Sequence, residues 1–552
     1  MSEDRILAGL NPEQRKAVEH FNGPLLILAG AGSGKTRVLT RRVAYLIEHY
    51  GVSPANIMAV TFTNKAANEM KERITALLGR IQDGLQVSTF HSFCVRVLRK
   101  ESRKLDYENN FVIYDTADQL TLLKNVMKEL NIDSEKYNPR AVLAEISRAK
   151  NELIGPEEYQ ERMGDYFQEI TGKAYSLYQQ RLQDSNALDF DDLIMKTVEL
   201  FKKYPMVLEH YQDRFKYISI DEYQDVNTAQ YQLVQLLARK YRNICVVGDP
   251  DQGIYGFRGA DIRNILNFEE DYPDAEIIKL EQNYRSMGKI LRAADSVIAN
   301  NLSRREKRLW TEKGEGNNLK YYQAFDEKDE ANYVSRTIKE LQDKGYSYKD
   351  MAVLYRTNSQ SRVIEDFLIR YGIPYQIIGG LRFYDRMEIK DLIAYLRVIY
   401  NPADDISLLR IINKPARGIG AGTVSKLTAF AAEKGLSLYE ACLRVEENTA
   451  LGAAYRNKVK GFINMMEDFR ADSQELSVAL LMQRVIQETG YEAELLAEGT
   501  IEAQTRLENI QELFSVMSSF QSETGENSLA AFLEEVSLVS DIDTMDEEGN
   551  HV

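Results

Sequence analysis

The first half of the chain alternates short apolar runs with longer segments whose apolar residues recur at helical spacing. Each apolar run ends at a polar or glycine-containing turn, and a helical segment follows it. The five runs occupy residues 25–30, 56–62, 85–90, 217–222 and 244–249. Strands that are apolar on both faces and alternate with helices predict an α/β fold, with a parallel sheet covered by helices on both sides. Such sheets bind ligands at the carboxyl ends of their strands, where the polar residues of this sequence cluster.

The same pattern divides the chain into units. Residues 111–187 are helical in pattern and poor in strands, which indicates an insertion into a first α/β unit formed by residues 1–110 and 188–280. A second α/β unit is predicted over residues 281–385, around a helix near 328–344. The strands predicted for this second unit are "LKYYQAF", "DMAVLYR" and "IPYQIIGG".

The carboxyl-terminal part of the chain has an almost wholly helical pattern. Residues 386–549 are predicted as a second helical insertion, after which residues 550–552 return to the second unit. The tail "DIDTMDEEGNHV" is acidic and turn-like, and the sequence has neither a repeat of fixed period nor a low-complexity tract. A chain of 552 residues exceeds what one hydrophobic core usually serves, so several units are expected.

The charge distribution restricts the class of partner. A net charge of -15 argues against a protein that coats nucleic acid through its bulk charge. Residues 1–104, however, carry 16 Lys and Arg against 9 Asp and Glu. This basic amino-terminal region on an acidic body allows a local groove for a polyanion, although clustering on solvated helices would give the same count.

The start of the chain and its cysteines indicate a reducing compartment. The first residues, "MSEDRILAGLNPEQ", lack a basic-then-apolar signal peptide, and no window has the ~18 uninterrupted apolar residues of a membrane span. We therefore expect a cytoplasmic protein without a membrane partner. Cys94, Cys245 and Cys442 are too far apart for paired metal ligands or a disulfide framework, and we interpret them as reduced core residues.

The stretch "PLLILAGAGSGKTRVLTRR" (24–42) joins an apolar strand, a glycine-rich loop and a helix. It fits the phosphate loop of nucleoside triphosphatases, except that Ala29 replaces the first glycine of the strict pattern. Backbone N–H groups and the helix amino terminus would surround the phosphates of ATP, Lys35 would reach the β and γ oxygens, and Thr36 would hold Mg²⁺. The candidate nucleotide-binding residues of this stretch are Ala29, Gly30, Ala31, Gly32, Ser33, Gly34, Lys35, Thr36 and Arg37.

Acidic residues end two further strands of the predicted sheet. In "YISIDEYQD", Asp221 is the candidate ligand of Mg²⁺, and Glu222 is the candidate base that orients and deprotonates the attacking water. In "VVGDPDQ", Asp249 and Gln252 end the next strand, where a side chain can sense the γ-phosphate. Two adjacent carboxylates also occur at ordinary solvated strand ends, and the second motif by itself is weak.

Three turns at the same predicted edge carry aromatic and polar residues. "TFTNKAANEMKER" and "STFHSF" place Phe62, Asn64 and His91 beside the nucleotide loop, and "DQGIYGFRGA" adds three more residues, Tyr255, Phe257 and Arg258. Aromatic rings next to an arginine suit single-stranded nucleic acid, because bases stack on the rings while the arginine contacts phosphate. Singly, such aromatics are more often core residues, and a lone histidine is most often structural.

These motifs occur in an order that resembles a known family. "LNPEQRKAV", "AGAGSGKT", "TFTNKAANEMKER", "STFHSF", "DEYQD", "VGDPDQGIYGFRGA", "LEQNYRS" and "AVLYRTNSQSR" follow one another as in superfamily-one DNA helicases of the UvrD/Rep/PcrA group. The resemblance spans essentially the whole chain. It implies two RecA-like lobes that clasp ATP between them, each carrying a helical inserted subdomain with the boundaries given above.

The resemblance also assigns roles to individual residues. It implies that Gln14 reads adenine, that Tyr284 stacks on it, and that Arg285 reaches the γ-phosphate across the cleft, where Lys35, Asp221, Glu222 and Gln252 complete the catalytic set. The implied DNA contacts are Phe62, Asn64, His91, Tyr255, Phe257, Arg258, Arg356, Asn358, Gly418 and Gly420. The two glycines lie in "KPARGIG", which suits a tight turn equally well.

This sequence departs from the family's pattern at three positions beyond the phosphate loop. Phe257 stands where tryptophan is usual, Gly253 where serine is usual, and Val226 where threonine is common. Phenylalanine keeps a stacking face but loses ring area and an N–H group, so we expect a weaker grip on DNA. Val226 casts little doubt on the roles assigned to the acidic residues before it.

The activity implied by the resemblance is ATP-dependent movement in the 3′ to 5′ direction along single-stranded DNA. The implied substrates are single strands and junctions of single with double strand, and the implied setting is DNA repair or replication. Repair, replication-initiator or polymerase proteins are possible partners. Two other readings stay open: the motor subunit of a helicase–nuclease, and a non-motor DNA-binding or adaptor protein gated by nucleotide.

Two motifs of the family are absent from this sequence. The family's second lobe resumes after its insertion with a segment like "HxxKGLEF" and then an arginine-bearing "RRLxYVAxTRA", and neither string occurs here. The resemblance therefore implies an amino-terminal portion with an incomplete second lobe. We expect poor hydrolysis of ATP by this chain alone, unless a complementary carboxy-terminal chain is present, because an arginine finger is worth ~10³–10⁵ in rate.

Overall fold

The computed structural model describes residues 2–162, 164–301, 307–378, 383–538 and 549–552. The strands in this part of the chain are β1 (Leu25–Ala29), β2 (Ile57–Thr61), β3 (Gln86–Thr89), β4 (Val112–Tyr114), β5 (Ala187–Asp189), β6 (Tyr217–Ile220), β7 (Asn243–Gly248) and β8 (Glu276–Leu280). The helices are α1 (Ser2–Leu7), α2 (Pro12–Glu19), α3 (Lys35–Glu48), α4 (Asn64–Leu78), α5 (Phe90–Glu101), α6 (Thr116–Glu129), α7 (Pro139–Asn151), α8 (Pro156–Glu161), α9 (Tyr166–Asp184), α10 (Phe190–Lys203), α11 (Pro205–Arg214), α12 (Thr228–Ala238), α13 (Arg263–Leu266), α14 (Phe268–Asp271), α15 (Gly288–Ile298), α16 (Glu327–Asp343), α17 (Ser361–Arg370), α18 (Met387–Tyr400), α19 (Asp405–Ile411), α20 (Ala421–Lys434), α21 (Leu438–Leu443), α22 (Ala453–Asp472), α23 (Val478–Thr489), α24 (Tyr491–Glu498), α25 (Ile501–Thr524) and α26 (Leu529–Leu538).

A six-stranded parallel sheet forms the centre of the molecule, in the order β3-β2-β6-β7-β1-β8. Successive residues of β1 alternate between its two faces: Leu26 and Leu28 join one buried cluster, and Leu25 and Ile27 join another. Both faces are therefore covered, as the apolar runs predict, and the five predicted strands of this sheet are confirmed. The sixth, β8, was not predicted, and it lies parallel beside β1.

The sheet brings its functional loops to one edge because all six strands run in the same direction. The turns after β2 and β3 are fixed by side-chain caps. Thr63 accepts a hydrogen bond from the backbone N–H of Ala66 at the start of α4, and Thr89 accepts one from Ser92 at the start of α5. These caps hold the residues beside them at the carboxyl edge of the sheet.

Within the predicted first helical insertion, α6 to α9 pack around a separate apolar core. Its borders are tied by a small parallel sheet of β4 and β5, which the sequence pattern did not predict. Three residues per strand are too few for an alternating pattern to be recognised. The insertion and the six-stranded sheet are therefore joined at two adjacent points.

The strands predicted for residues 281–385 are wrong for the described residues. The segments 319–325 and 350–356 form no strand, nor does the described part of 373–380, whose last two residues lie outside the described ranges. Helices α16 and α17 do form, close to the expected place, around a small core. A strand is stable only when a neighbour satisfies its backbone N–H and C=O groups, and the described residues offer these segments no such ladder.

One short stretch of backbone pairing is present, between Val552 and the segment at Pro374 to Gln376. The Val552 backbone N–H donates to Pro374 O (3.0 Å), and the Gln376 N–H donates to Val552 O (3.0 Å). The apolar side chains of the unpaired segments remain in solvent, with Leu354 94% and Phe325 100% exposed. Apolar alternation shows only that these segments are able to pair, and pairing decides whether a strand forms.

The second helical segment contains α18 to α26 around the largest apolar core among the residues that the structure describes. It packs against the first insertion through polar side chains: the Tyr114 hydroxyl donates to Asp404 Oδ1 (2.8 Å), and Arg397 Nη1 donates to Asp118 Oδ2 (2.6 Å). The three cysteines are buried and free, as expected. Among the described residues, no helix has the length and apolar character needed to cross a membrane.

Candidate nucleotide and nucleic-acid site

The glycine-rich loop after β1 has the form of an anion cradle. Gly32 and Gly34 lie at φ +67° and +90°, in the left-handed region that favours glycine. Helix α3 begins at Lys35, and no side chain caps its amino terminus. Its first backbone N–H groups can therefore bind phosphate, helped by the positive end of the helix dipole.

The two carboxylates predicted to work with this loop lie against it. Lys35 Nζ donates to Glu222 Oε2 at 2.7 Å, and the Thr36 hydroxyl donates to Asp221 Oδ2 at 3.4 Å. Burial raises the pKa of Asp221 to about 6, and the negative charge of Glu222 acts in the same direction. Lys35 opposes this rise. Glu222 has a φ of +49°, an uncommon backbone conformation for a residue with a side chain.

The donor set fits Mg²⁺ better than a transition metal. Thr36 and Asp221 supply two neighbouring oxygens, and Mg²⁺ is usually held by one or two carboxylates together with substrate phosphates and water. The described part of the chain contains no cluster of three or more His, Cys, Asp or Glu that could hold a metal ion. Oxygen donors without such a cluster suit a cation that arrives with its nucleotide.

Residues after β8 close over the loop from the other side. Asn283 Nδ2 donates to Ala31 O (2.6 Å), and the Tyr284 backbone N–H donates to Gly32 O (2.8 Å). A Cβ atom added at Gly32 would lie 2.7 Å from Cβ of Arg285, so only glycine permits this approach. The structure thus places Tyr284 and Arg285 next to the glycine-rich loop.

Gln14 and Tyr284 lie on the same side of the loop. Gln14 Nε2 donates to Ser33 O (2.8 Å), and its Oε1 caps the backbone of Asn11. Asn11 Nδ2 in turn donates to the Tyr284 hydroxyl (3.1 Å). Arg37, the last residue predicted from the loop, is turned away and donates to Gly9 O (3.0 Å).

The loop after β7 faces the same cleft. Gln252 Nε2 donates to Asp249 Oδ2 (2.6 Å). Lys307, which sequence reasoning missed, forms ion pairs with Asp249 and with Asp251 and is 6% exposed. Burial, followed by the charge of Lys35, lowers the pKa of Lys307 to about 8. No motif marks this lysine, because it is one charge in a charged segment.

The predicted aromatic residues form a continuous surface at the sheet edge. Phe62 and Tyr255 stack with ring centroids 5.2 Å apart, and Tyr255 lies 6.1 Å from Phe257, which is 76% exposed. The Arg258 guanidinium lies 5.5 Å from both of the last two rings. We call this surface, together with the cavity of about 1240 Å³ that it lines, the aromatic groove.

Two predicted residues of the groove have specific partners. The side chain of Asn64 donates to the backbone carbonyl of Leu538 (2.8 Å), and its oxygen accepts from Ser92. His91 packs on the ring of Phe190, with centroids 4.8 Å apart. Burial lowers the pKa of His91 to about 4, so at neutral pH it offers a ring and no charge.

Four predicted contacts lie outside the aromatic groove. Among the described residues, the walls of its cavity do not include Arg356 or Asn358, which belong to an exposed turn before α17. They also do not include Gly418 or Gly420, which precede α20 in the second insertion. Single-residue matches to a motif gave no information on which elements would lie next to one another.

Sequence reasoning missed the contribution of the first insertion to the groove. Its side chains on one wall include Arg148, Asn151 and Arg162, and Phe190 at the start of α10 lies below them. These residues belong to no recognisable motif. The packing of α7 against α10 and α12 positions Arg148 and Asn151, whereas Arg162 ends α8.

A glycine-rich loop between a buried parallel strand and a helix, with an acidic pair beside its lysine, defines a P-loop nucleotide-binding protein of the α/β class. Residues 10–273 match the family described as the UvrD/REP helicase N-terminal domain, and residues 278–552 match the UvrD-like helicase C-terminal domain. The chain belongs to the UvrD/REP helicase family.

Its similar relatives include three proteins called ATP-dependent DNA helicase PcrA. The protein of Bacillus subtilis is 50% identical over 545 residues, which cover 99% of this chain and 74% of the relative. Those of Staphylococcus aureus and Staphylococcus epidermidis are each 49% identical, with 98% of this chain and 74% of the relative covered. The chain thus spans about three quarters of the length of these relatives.

Proposed function

We propose that this protein is an ATP-dependent DNA helicase that moves 3′ to 5′ along single-stranded DNA and opens duplex at single-strand junctions. The observation that carries the proposal is the common edge of one sheet. The P-loop with Glu222 lies at one part of this edge, and the stacked rings of Phe62 and Tyr255 lie at another. Family membership and the names of the relatives support the same activity.

In this proposal ATP binds between two RecA-like lobes. Lys35 holds its β and γ oxygens, Gln14 and Tyr284 hold the base, and Arg285 approaches the γ-phosphate from the second lobe. Mg²⁺, held by Thr36 and Asp221, would neutralise phosphate charge when bound. Glu222 orients and deprotonates the attacking water, while Gln252 senses the γ-phosphate.

The aromatic groove provides the track. Bases pass over the rings of Phe62, Tyr255 and Phe257, while Arg258 contacts phosphate. Stacking on a ring is worth ~1–3 kcal/mol per base, and a DNA stacking step averages ~1.4 kcal/mol. The rings can therefore offset most of the free energy needed to expose a base, so the nucleotide cycle has mainly to supply direction.

Two further features belong to the proposal. The exposed apolar side chains of Tyr321, Phe325 and Leu354 support a complementary polypeptide that completes the second lobe. Repair, replication-initiator or polymerase proteins are proposed partners because the DNA they act on is the same. A protein that acts on a bacterial chromosome works in the cytoplasm, which is the compartment we propose.

The test compares ATP hydrolysis with and without oligothymidylate, and strand displacement on duplexes with a 3′ or a 5′ single-stranded tail. The readout is the ratio of the ATP hydrolysis rates with and without DNA, because we expect the absolute rate to be low. Lys35→Ala should lower DNA-stimulated hydrolysis by about 100-fold or more, since it removes a preorganised positive charge from the phosphates. Lys128→Ala, at an exposed position of α6, is the matched control.

The results separate the readings. Stimulation by DNA together with displacement of 3′-tailed substrate supports the helicase. Nucleotide-dependent binding of DNA without hydrolysis supports the non-motor reading, and displacement that requires a 5′ tail contradicts the direction proposed.

A further inference from the structure

A short turn after β6 connects the nucleotide loop with the aromatic groove. It begins at Glu222, whose carboxylate is bonded to Lys35. It continues through a single 3-10 turn, Tyr223–Asp225, and reaches Asn227, which bridges to Ala260 in the loop of the groove. The connection between the two sites is therefore only six residues long.

Gln224 holds this turn together from the inside. Its side chain is 2% exposed, and its Nε2 donates both to Glu222 Oε2 (2.8 Å) and to Asp225 Oδ2 (3.1 Å). Its Oε1 accepts from the backbone N–H of Asp249 (2.9 Å), at the end of β7. One amide thus links two carboxylates and the neighbouring strand, and both N–H groups of its NH₂ end are used.

The surroundings of Gln224 leave it little freedom. A Cβ atom added at Gly248 would lie 2.6 Å from Gln224 Oε1, and one added at Gly253 would lie 3.8 Å from its Cγ. The side chain is therefore enclosed between the end of β7 and the start of the loop that carries Tyr255. A displacement of the amide must move one of these neighbours.

Asp225 extends the connection to the groove itself. It lies in the wall of the groove's cavity. Burial, and next the negative charge of Glu222, raise the pKa of Asp225 to about 6, while the hydrogen bond from Gln224 lowers it. The Asp225 carboxylate thus accepts a hydrogen bond from Gln224 and senses the charge of Glu222, and it also lines the cavity that Tyr255 and Phe257 line.

Binding of a triphosphate would change the first contact in this connection, the ion pair between Lys35 and Glu222. Lys35 is paired with Glu222, and the phosphate oxygens of a bound triphosphate would compete for the same ammonium group. Glu222 would then depend on Gln224 as its remaining donor among these contacts. A change in that bond is passed to Asp225 by the same NH₂ group.

We propose that Gln224 is a positioning residue that couples the nucleotide site to the aromatic groove, by sharing its amide between Glu222 and Asp225. The inference rests on the proposed function, since it assumes that ATP and DNA bind at these two places. It assigns to Gln224 a role that neither base stacking nor phosphate binding requires.

The test measures the affinity of the chain for fluorescent oligothymidylate with and without a non-hydrolysable ATP analogue and Mg²⁺. The coupling factor is the ratio of the two dissociation constants. Couplings between sites are typically about 5- to 150-fold. Gln224→Met keeps the volume of the side chain and removes all three of its hydrogen bonds. The coupling factor of this variant should fall to within about 2-fold of unity.

Three other variants keep the test sharp. When its new carboxyl group is ionised, Gln224→Glu retains an acceptor for Asp249 but cannot donate to either carboxylate. It should then be uncoupled as well, whereas a purely structural role at β7 would be restored. Gly248→Ala pushes the amide from outside and should also lower the factor. Gln212→Met is the matched control, because Gln212 is a buried glutamine of α11 that donates to Leu236 O, away from both sites.

The outcomes are distinguishable. A coupling factor that is normal in Gln224→Met, or restored in Gln224→Glu, overturns the role of Gln224 and leaves the proposed function intact. A wild-type chain whose affinity for DNA does not respond to the analogue overturns both. Thermal unfolding of each variant shows whether a lost coupling factor reflects loss of the fold. If the Gln224 variants are unfolded, the coupling factor of Gly248→Ala decides whether Gln224 has the proposed role.

Discussion

Lys35 reaches the nucleotide site already paired with a carboxylate, and this pairing affects its neighbours. With Glu222 at 2.7 Å, the lysine's charge is neutralised before any phosphate arrives. Asp221, 8% exposed and beside Glu222, is left with a raised pKa. Lys35 alone therefore does not compensate the charge of both carboxylates, which favours a cation at Asp221.

The raised pKa of Asp221 predicts how nucleotide binding depends on pH. A value of about 6 means that the nucleotide-free site carries a proton on Asp221 below pH 6, and this proton must leave before Mg²⁺ can bind. Affinity for the Mg²⁺ complex of an ATP analogue should be constant above pH 7. Below pH 6 it should fall toward about tenfold per pH unit.

Fluorescence titrations between pH 5 and 8 measure this dependence. The same titrations in EDTA correct for protonation of the nucleotide itself, and Asp221→Asn should show no difference between the two series. A wild-type difference that does not change with pH would contradict the assignment of Asp221 as the cation ligand.

The sequence predicts the residues of the nucleotide site well because contiguous motifs contain them. Lys35 and Thr36 share one loop, and Asp221 and Glu222 share one strand end, so only the register of parallel strands was needed to bring them together. Lys307 was not predictable in this way. Its position depends on a long return of the chain to Asp249, which no local pattern encodes.

At the scale of elements, the two helical insertions are joined by buried polar bonds. Arg397 of α18 pairs with Asp118 of α6 at 2.6 Å, and both side chains are less than one-fifth exposed. Asn401, one turn further on, donates to Ser185 O and Asn186 O at 2.9 and 3.1 Å. Breaking such a pair from one side leaves a buried charge without compensation.

Arg397→Met should therefore lower the free energy of unfolding by about 3–5 kcal/mol, the usual cost of an unpaired buried charge. Urea unfolding followed by circular dichroism measures the change. The double variant Arg397→Met/Asp118→Asn should recover part of the loss, because the stranded carboxylate is then neutral.

The control for this prediction is Arg336→Met, which removes an exposed pair with Glu340 and should change stability by less than about 1 kcal/mol. A change of the same small size in Arg397→Met would show that the two insertions do not depend on their buried pair.

Elements were predictable from the sequence where their stability is local. The apolar runs of β1 and β2, buried on both faces, and the long helices of both insertions fall in this class. The second set of strands was not, because a run such as 350–356 becomes a strand only beside a partner. Apolar alternation indicates that a segment can pair as a strand, but it does not indicate whether a neighbouring strand is present.

At the scale of the whole molecule, the groove that we propose binds DNA belongs to an acidic protein. The net charge is -15, and four arginines, Arg148, Arg162, Arg258 and Arg263, lie in the walls of the aromatic groove. Three of them are already paired, Arg148 with Glu145, Arg162 with Glu158 and Arg263 with Asp261. A paired arginine gains less from a phosphate, so stacking should provide most of the affinity.

This balance predicts a shallow salt dependence. For single strands, the logarithm of the binding constant falls with the logarithm of salt concentration by about 0.7 per phosphate neutralised. The slope for a short oligothymidylate should therefore lie between about -0.7, for Arg258 alone, and about -3, for all four arginines. Fluorescence anisotropy measured from about 50 to 300 mM salt, over which the Debye length falls from about 14 to about 6 Å, gives this slope.

Two variants separate charge from stacking. Phe257→Ala should weaken binding at every salt concentration by about 5- to 150-fold, the loss of ~1–3 kcal/mol of stacking, without changing the slope. Arg258→Ala should flatten the slope by about 0.7 to 1. A wild-type slope much steeper than -3, with Phe257→Ala close to wild type, would mean that charge holds the strand and that the exposed rings do not. The groove would then act as an electrostatic channel, and the coupling of base stacking to nucleotide binding would have no physical basis in this chain.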